Sequence, residues 1–150
     1  MNMTIKQIRR WAAAVAAICL LTLFLPLYGM TAFAATARIA FSDPTASVGS
    51  EINVKMKITS SDNLSTADIM LAYDPGSLEF IEGTNAEGGN GAVRVHGDGG
   101  GANTTTLAYD LKFKASAAGT SKITVTSQEI YDSSSQIVTV DKQGEAQVTV

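Results

Sequence analysis

Four carboxylates lie close together in the middle of the chain, and paired carboxylates are what the hydrolysis of a glycosidic bond requires. They are Asp68, Asp74, Glu79 and Glu82. Their surroundings argue against that chemistry, because Asp68 points outward from a predicted strand and Asp74 precedes Pro75 in a predicted turn. Glu79 and Glu82 occupy the polar side of the following strand. We therefore predict solvated charges here and no enzyme activity.

The single histidine and the single cysteine supply no other catalytic or metal chemistry. His96 has no cysteine or motif serine to activate, and we predict that it is a surface residue of a strand. The glycines that follow it are not a phosphate-binding loop, because no Lys-Ser or Lys-Thr pair comes after them. One Cys and one His exclude a zinc site and a disulfide framework, and no segment has the ligand pattern of a calcium loop. We expect no metal and no cofactor in this chain.

Charge and aromatic content narrow the possible partners. The 11 basic and 14 acidic residues give a net charge of −3, with no basic block that could neutralise a run of phosphates, so nucleic-acid binding is excluded. Binding of sugar rings usually needs exposed aromatic side chains. Only Tyr131 is a plausible surface ring, because the other aromatic residues beyond the N-terminal segment share the apolar side of their strands. These are Phe41, Tyr73, Phe80, Tyr109 and Phe113.

The N-terminal segment has the order of features typical of a secretory signal peptide. Three cations come before the apolar run Trp11–Tyr28: Lys6, Arg9 and Arg10. Small residues at positions 32 and 34 predict cleavage between Ala34 and Ala35, so residues 1–34 are the predicted signal peptide. The mature protein would be secreted, with no membrane span after cleavage. An uncleaved anchor is the alternative, because the run approaches the roughly 20 residues that cross a bilayer.

Beyond the signal peptide, apolar and polar residues alternate with the period of two that is typical of half-buried strands. Nine segments are predicted as strands: 38–42, 48–59, 67–73, 78–82, 92–96, 106–114, 122–126, 136–140 and 146–150. Turn residues separate them, among them Asp43-Pro44 and Asp74-Pro75-Gly76. A helical period is absent from this part of the sequence. The pattern predicts an all-β sandwich of two packed, mostly antiparallel sheets.

One segment departs from this regular pattern. Residues 83–101 contain 8 glycines among 19 residues and surround only one of the predicted short strands. Glycine-rich connections are typical of mobile loops. We expect this segment to be loop-rich and mobile.

Three stretches of the sequence resemble bacterial cohesin domains. Ala67–Phe80, with the sequence ADIMLAYDPGSLEF, looks like the third strand, turn and fourth strand of that family. Leu107–Ala115 and Ala118–Val125 are similar to its late strand, glycine turn and next strand. The resemblance runs over residues 37–150 and implies a nine-stranded jelly-roll sandwich, related in fold to some cellulose-binding modules.

The resemblance also implies a function and a site. Cohesins are non-catalytic extracellular modules that bind calcium-loaded dockerins on polysaccharide-degrading enzymes and so assemble cellulosomes. A flat sheet face receives the dockerin helices, and its strands match residues 67–73, 92–96 and 122–126. The partner-binding residues carried over by parity are Asp68, Met70, Ala72, Arg94 and His96. The calcium would lie on the dockerin side, and we expect this chain to be a monomer.

The sequence departs from the cellulosomal pattern in two places. The family's Asn-x-Asp reads Thr66-Ala67-Asp68 here, and the stretch between Glu82 and Val93 is short, which predicts that one strand is missing and leaves eight. Because affinity rests on a few central anchors, these changes would weaken or redirect recognition.

Two other functions remain open at the level of sequence. A carbohydrate-binding module of the same fold would use Tyr131 and the glycine-rich loops as a platform for polysaccharide. A structural or adhesive cell-surface domain would have no dockerin partner.

Overall fold

The computed structural model describes residues 35–101 and 104–150. The predicted signal peptide, including Ala34 of its cleavage site, lies outside the described residues. The described chain forms nine strands: β1 (Thr36–Phe41), β2 (Glu51–Tyr73), β3 (Leu78–Gly83), β4 (Ala86–Gly89), β5 (Ala92–Gly97), β6 (Thr104–Ala115), β7 (Thr120–Asp132), β8 (Thr139–Gln143) and β9 (Ala146–Thr149). Within these residues, no helix is long and apolar enough to cross a membrane.

The long strand β2 belongs to both layers of the sandwich. Its residues 51–60 pair with β1 and β6, whereas residues 64–73 pair mainly with β5 and β7. The buried positions are even-numbered up to Ile58 and odd-numbered from Ala67 onward. The change of parity falls at Ser65, whose hydroxyl donates to the carbonyls of Tyr131 at 3.2 Å and Asp132 at 2.8 Å. A bulge of this kind lets one strand run through both sheets and keep its apolar side chains in the core between them.

The two sheets share β2 and meet again at one corner. The first sheet has the order β8-β1-β2-β6-β3, and the second has the order β9-β7-β2-β5-β4. Gly83 of β3 pairs with Ala86 of β4 at the corner. The pairings between strands are antiparallel except that of β1 with β8, which is parallel. The predicted all-β, nine-stranded, mostly antiparallel sandwich is confirmed.

The core lies between the two sheets and is built from their inward side chains. Phe113 is fully buried, and its ring makes edge contacts with Tyr73 and Phe80 at centroid distances of 5.2 and 5.4 Å. Tyr109 is also buried, and Phe41 packs against the core from a half-buried position. The aromatic residues assigned to the core by parity are therefore where the sequence predicts them.

Several predicted strand boundaries are wrong. The strands predicted at 48–59 and 67–73 are one continuous strand, because the polar residues between them cross from one sheet to the other and need no turn. Val48 lies outside the strand and is exposed. The strand predicted at 136–140 begins at Thr139, although Val138 is buried as the pattern requires.

The glycine-rich segment contains more strand than its composition predicts. It contains β4 as well as β5, joined by a tight turn in which Asn90 and Gly91 both have positive φ, 51° and 93°. Positive φ at two consecutive residues is typical of the turn that joins paired antiparallel strands. The predicted missing strand is therefore present, and the eight-stranded alternative is wrong.

Candidate partner-binding face

The outward surface of the second sheet is formed by β7, the second half of β2, β5 and β4, side by side. Buried residues alternate along β2 and β5 with half-buried and exposed ones, so that every second side chain points to solvent. We call this surface the second-sheet face. Its side chains are Thr124, Ser127, Glu129, Tyr131, Thr66, Asp68, Met70, Ala72, Ala92, Arg94, His96 and Glu87.

The five residues predicted to bind a partner are all on the second-sheet face. Asp68 of β2 lies directly beside His96 of β5, and Met70 lies beside Arg94. Ala72 follows two residues further along β2, on the same side. The side chain of His96 is 62% exposed, as predicted for a surface strand histidine. The structure thus brings together residues separated by up to 28 positions in the sequence.

Asp68 and Arg94 form a bidentate ion pair in the middle of this face. Arg94 Nε donates to Asp68 Oδ1 at 3.0 Å, and Nη2 donates to Oδ2 at 2.6 Å. His96 Nδ1 is 3.4 Å from the same Oδ2. The hydrogen bond from Arg94 lowers the pKa of Asp68, and burial opposes it only in part. Both Asp68 oxygens are therefore engaged within the chain.

The second half of β7 adds residues that the sequence prediction missed. Glu129 lies opposite Asp68, and Ser127 lies opposite Met70, so that both extend the face on the side away from β5. The Tyr131 hydroxyl donates to Glu129 Oε2 at 2.9 Å. That hydrogen bond and the charge of Glu129 raise the pKa of Tyr131.

A signal for this extension was present in the sequence. The inward residues of β7 are odd-numbered up to Val125, but the next inward apolar residue is Ile130. A shift of one residue within an alternating pattern indicates a bulge, and the pairing with β2 does slip between Val125 and Ser127. The strand predicted to end at Thr126 instead continues to Asp132.

The fourth strand of the face carries a second carboxylate that the prediction missed. Glu87 of β4 pairs in register with Arg94. Its charge contributes to the raised pKa of Arg94, after the larger effect of Asp68. No apolar alternation marks β4, because it consists of two glycines, one alanine and this glutamate.

Of the other three carboxylates considered as catalytic candidates, Glu79 is exposed on β3 and two have structural partners. Asp74 accepts hydrogen bonds from the Ser77 hydroxyl at 2.6 Å and from the Gly76 amide at 2.9 Å, and these bonds lower its pKa. Lys112 donates to Glu82 at 2.7 Å and lowers the pKa of that group. The turn and surface positions predicted for them are confirmed. Residues 35–101 and 104–150 contain no cluster of three or more His, Cys, Asp or Glu side chains able to hold a metal ion.

The outward surface of the first sheet differs from the second-sheet face. Its charges pair across neighbouring strands, as in the contact of Lys55 Nζ with Asp110 Oδ1 at 2.9 Å. A shallow depression of about 320 Å³ is lined by polar side chains that include Asn53, Thr84 and Lys112. The outward residues of β6 and of residues 51–59 of β2 are charged or polar except Ala108, as expected for a solvated sheet face.

The arrangement of strands matches solved structures closely. Over 77% of the chain and 99% of the other, it superimposes with a TM-score of 0.65 and 20% identity on the sixth cohesin of scaffoldin B from Acetivibrio cellulolyticus. The chain has the cohesin fold. A non-cellulosomal cohesin from the archaeon Archaeoglobus fulgidus gives a TM-score of 0.61 at 22% identity, covering 77% of this chain and 92% of that one. The fold implied by the sequence resemblance is thus confirmed.

Several of the similar cohesin structures are complexes with a dockerin. The scaffoldin B cohesin was solved with a Cel5 dockerin carrying two substitutions. The OlpA cohesin of Clostridium thermocellum, solved with the dockerin Doc918, matches with a TM-score of 0.64 and 17% identity over 76% of this chain and 98% of that one. No family model matches the sequence, and no curated protein matches it significantly. The fold is thus shared with these cohesins at sequence identities of 17–22%.

Proposed function

We propose that this chain is a non-catalytic, cohesin-like module whose second-sheet face binds a dockerin. One observation carries the proposal. The five residues that the sequence resemblance assigns to dockerin recognition lie together on one outward sheet surface of a cohesin fold. Similar cohesins solved as dockerin complexes support the same partner.

The surface has the composition that a helix-binding face needs. Met70, Ala72 and Ala92 form an apolar strip of small and flexible side chains, flanked by the charges of Asp68 and Arg94. Protein interfaces combine apolar contacts with charged groups. Small residues in this strip allow a helix backbone to approach the sheet.

Calcium would act on the partner in this proposal. Dockerins carry it in the function implied by the sequence resemblance, and the described part of this chain offers no cluster of three ligand side chains. Removal of calcium should therefore abolish binding without unfolding this chain.

The predicted signal peptide completes the proposal. Cleavage between Ala34 and Ala35 would release the folded domain, whose first strand begins at Thr36. The protein would then meet dockerin-bearing enzymes outside the cell or at its surface, as in polysaccharide-degrading complexes.

Affinity capture from the culture supernatant of the source organism tests the proposal. The bait is compared with an Ala72→Arg variant, which places a long cation on the second-sheet face. The matched control is Ala108→Arg, on the exposed side of β6 in the first sheet. Thermal unfolding confirms that each bait is folded.

The proposal predicts that the wild type and Ala108→Arg recover proteins containing a dockerin module and release them when calcium is chelated. Ala72→Arg should recover none. Equal capture by Ala72→Arg, or capture without any dockerin-bearing protein, would contradict it.

A further inference from the structure

The central carboxylate of the second-sheet face is not free to meet a partner. Both oxygens of Asp68 accept hydrogen bonds from Arg94, and His96 Nδ1 lies close to one of them. Bidentate pairs of this geometry are strong and have fixed orientation. A dockerin cation that approached Asp68 would have to displace a guanidinium already in place, so the pair acts toward a partner as a neutral unit.

The carboxylate of Glu129 lies on the neighbouring strand, in register with Asp68, and it has a free oxygen. Oε2 accepts the hydrogen bond of Tyr131, and Oε1 has no hydrogen-bond donor or cation among residues 35–101 and 104–150. The side chain is exposed. An exposed carboxylate with one oxygen unoccupied can accept a charge-assisted hydrogen bond from lysine or arginine without breaking an existing contact.

Tyr131 fixes the direction of that carboxylate. The two residues are separated by two positions on β7, on the same side of the strand, and the hydroxyl approaches Oε2 at 2.9 Å. The hydrogen bond removes part of the side-chain freedom that Glu129 would otherwise lose on binding. Preorganisation of this kind increases affinity because less conformational entropy is lost when the complex forms.

We propose that Glu129, held by Tyr131, is the residue that selects a lysine or arginine on the dockerin, and that Asp68 is withheld from this role by Arg94. The inference rests on the proposed function. It places the charged residue that selects the partner on β7. The sequence resemblance instead assigns partner binding to Asp68, on the neighbouring strand β2.

Calorimetric titration with calcium-loaded dockerins tests the assignment. The probes are the Cel5 dockerin of A. cellulolyticus, Doc918 of C. thermocellum and the dockerin modules encoded by the source organism, and the tightest binder is used throughout. Glu129→Gln removes the charge and keeps the shape. The matched control is Glu79→Gln, which removes the same charge from an exposed position of β3 in the first sheet. The double variant Asp68→Asn with Arg94→Gln removes the ion pair as a unit and leaves the net charge unchanged. Thermal unfolding shows that each variant is folded.

Glu129→Gln should weaken binding about tenfold or more and reduce its dependence on salt, whereas Glu79→Gln should do neither. The double variant should keep the salt dependence of the wild type, because the ion pair that it removes is neutral toward the partner. Tyr131→Phe should weaken binding several-fold in the wild type and have no further effect in Glu129→Gln, because the hydroxyl acts through that carboxylate. This coupling separates positioning from a merely structural role.

The outcomes distinguish the inference from the function on which it rests. If the wild type binds a dockerin but Glu129→Gln binds equally well, or if the double variant loses the salt dependence as Glu129→Gln does, the assignment to Glu129 is wrong and the function stands. If the wild type binds none of the dockerins, both are wrong.

Discussion

Arg94 of β5 donates two hydrogen bonds to Asp68 of the neighbouring strand β2, and on its other side it pairs in register with Glu87 of β4. The arrangement joins β2, β5 and β4 by charge as well as by backbone pairing. It also sets how the domain responds to acid, because the hydrogen bond from Arg94 lowers the pKa of Asp68 in the folded state.

The effect of Asp68→Asn on stability should depend on pH. A carboxyl group whose pKa is lowered by folding stabilises the folded state above its unfolded pKa, here near 3.8, and this contribution is lost as the pH falls through the folded value. We expect the substitution to lower the free energy of unfolding by up to about 1 kcal/mol at neutral pH, because the pair is partly exposed. Below the folded pKa the difference should vanish.

Urea unfolding between neutral pH and about pH 2 measures this difference. Asp62→Asn is the control, since Asp62 forms no ion pair among the described residues. A destabilisation by Asp68→Asn that is the same at every pH would show that the ion pair does not contribute.

The aromatic cluster in the core should dominate stability. Phe113 is fully buried between Tyr73 and Phe80, so Phe113→Ala would remove both edge contacts and leave a cavity. The expected loss is about 3–5 kcal/mol in the free energy of unfolding. Lys114→Ala, one residue further along β6 on the exposed side, should change it by less than about 0.5 kcal/mol. Similar effects of the two substitutions would contradict the packing of Phe113 between Tyr73 and Phe80.

Two adjacent glycines of β4 should respond differently to alanine. Gly88 and Gly89 have nearly the same positive φ, 152° and 154°, so the backbone strain of the substitutions is matched. A Cβ at Gly88 would collide with the carbonyl oxygen of Ala92, whereas at Gly89 it would meet nothing within 4 Å.

We therefore expect Gly88→Ala to separate β4 from β5 and to increase amide hydrogen exchange in β5 and at Glu87, whereas Gly89→Ala should leave exchange in β5 unchanged. Hydrogen exchange followed by NMR makes the comparison. Equal exchange in the two variants would show that β4 does not pack against β5 as described.

The export proposal predicts the N-terminus of the mature protein. Mass spectrometry of the protein recovered from the culture medium should find Ala35 as the first residue. Replacing Ala34 by a bulky charged residue should leave the precursor uncleaved, because signal peptidase accepts small residues at that position. A secreted protein that retains residues 1–34, or a protein found only in the membrane fraction, would contradict cleavage.

Side-chain alternation was sufficient to predict much of this fold. Ile52, Val54, Met56 and Ile58 are buried on one side of β2, and the polar residues between them are exposed, as the period of two requires. The same rule placed Asp68 and Arg94 on an outward face. These predictions succeeded because burial of apolar side chains determines the sequence pattern of a strand that has one side facing the core and the other facing solvent.

The features that were missed leave little or no trace in that alternation. The glycines of β4 have no side chains to alternate, so their pairing with β5 was invisible. The bulge at Thr126 inverts the parity of β7 and hid Glu129 from the predicted face. The contact of Asp68 with Arg94 depends on the register between two strands that are distant in sequence, and register is fixed by the turns and the core of the whole sheet.

Calorimetric titration of the wild type, Ala72→Arg and Ala108→Arg with a calcium-loaded dockerin from the source organism tests most directly whether the second-sheet face binds a dockerin. The wild type and Ala108→Arg should bind one to one and with the same affinity. Ala72→Arg should lose about a hundredfold or more in affinity, because its side chain would occupy the apolar strip of the second-sheet face. Equal binding by all three proteins, or no binding by the wild type to any such dockerin, would contradict dockerin binding by this face.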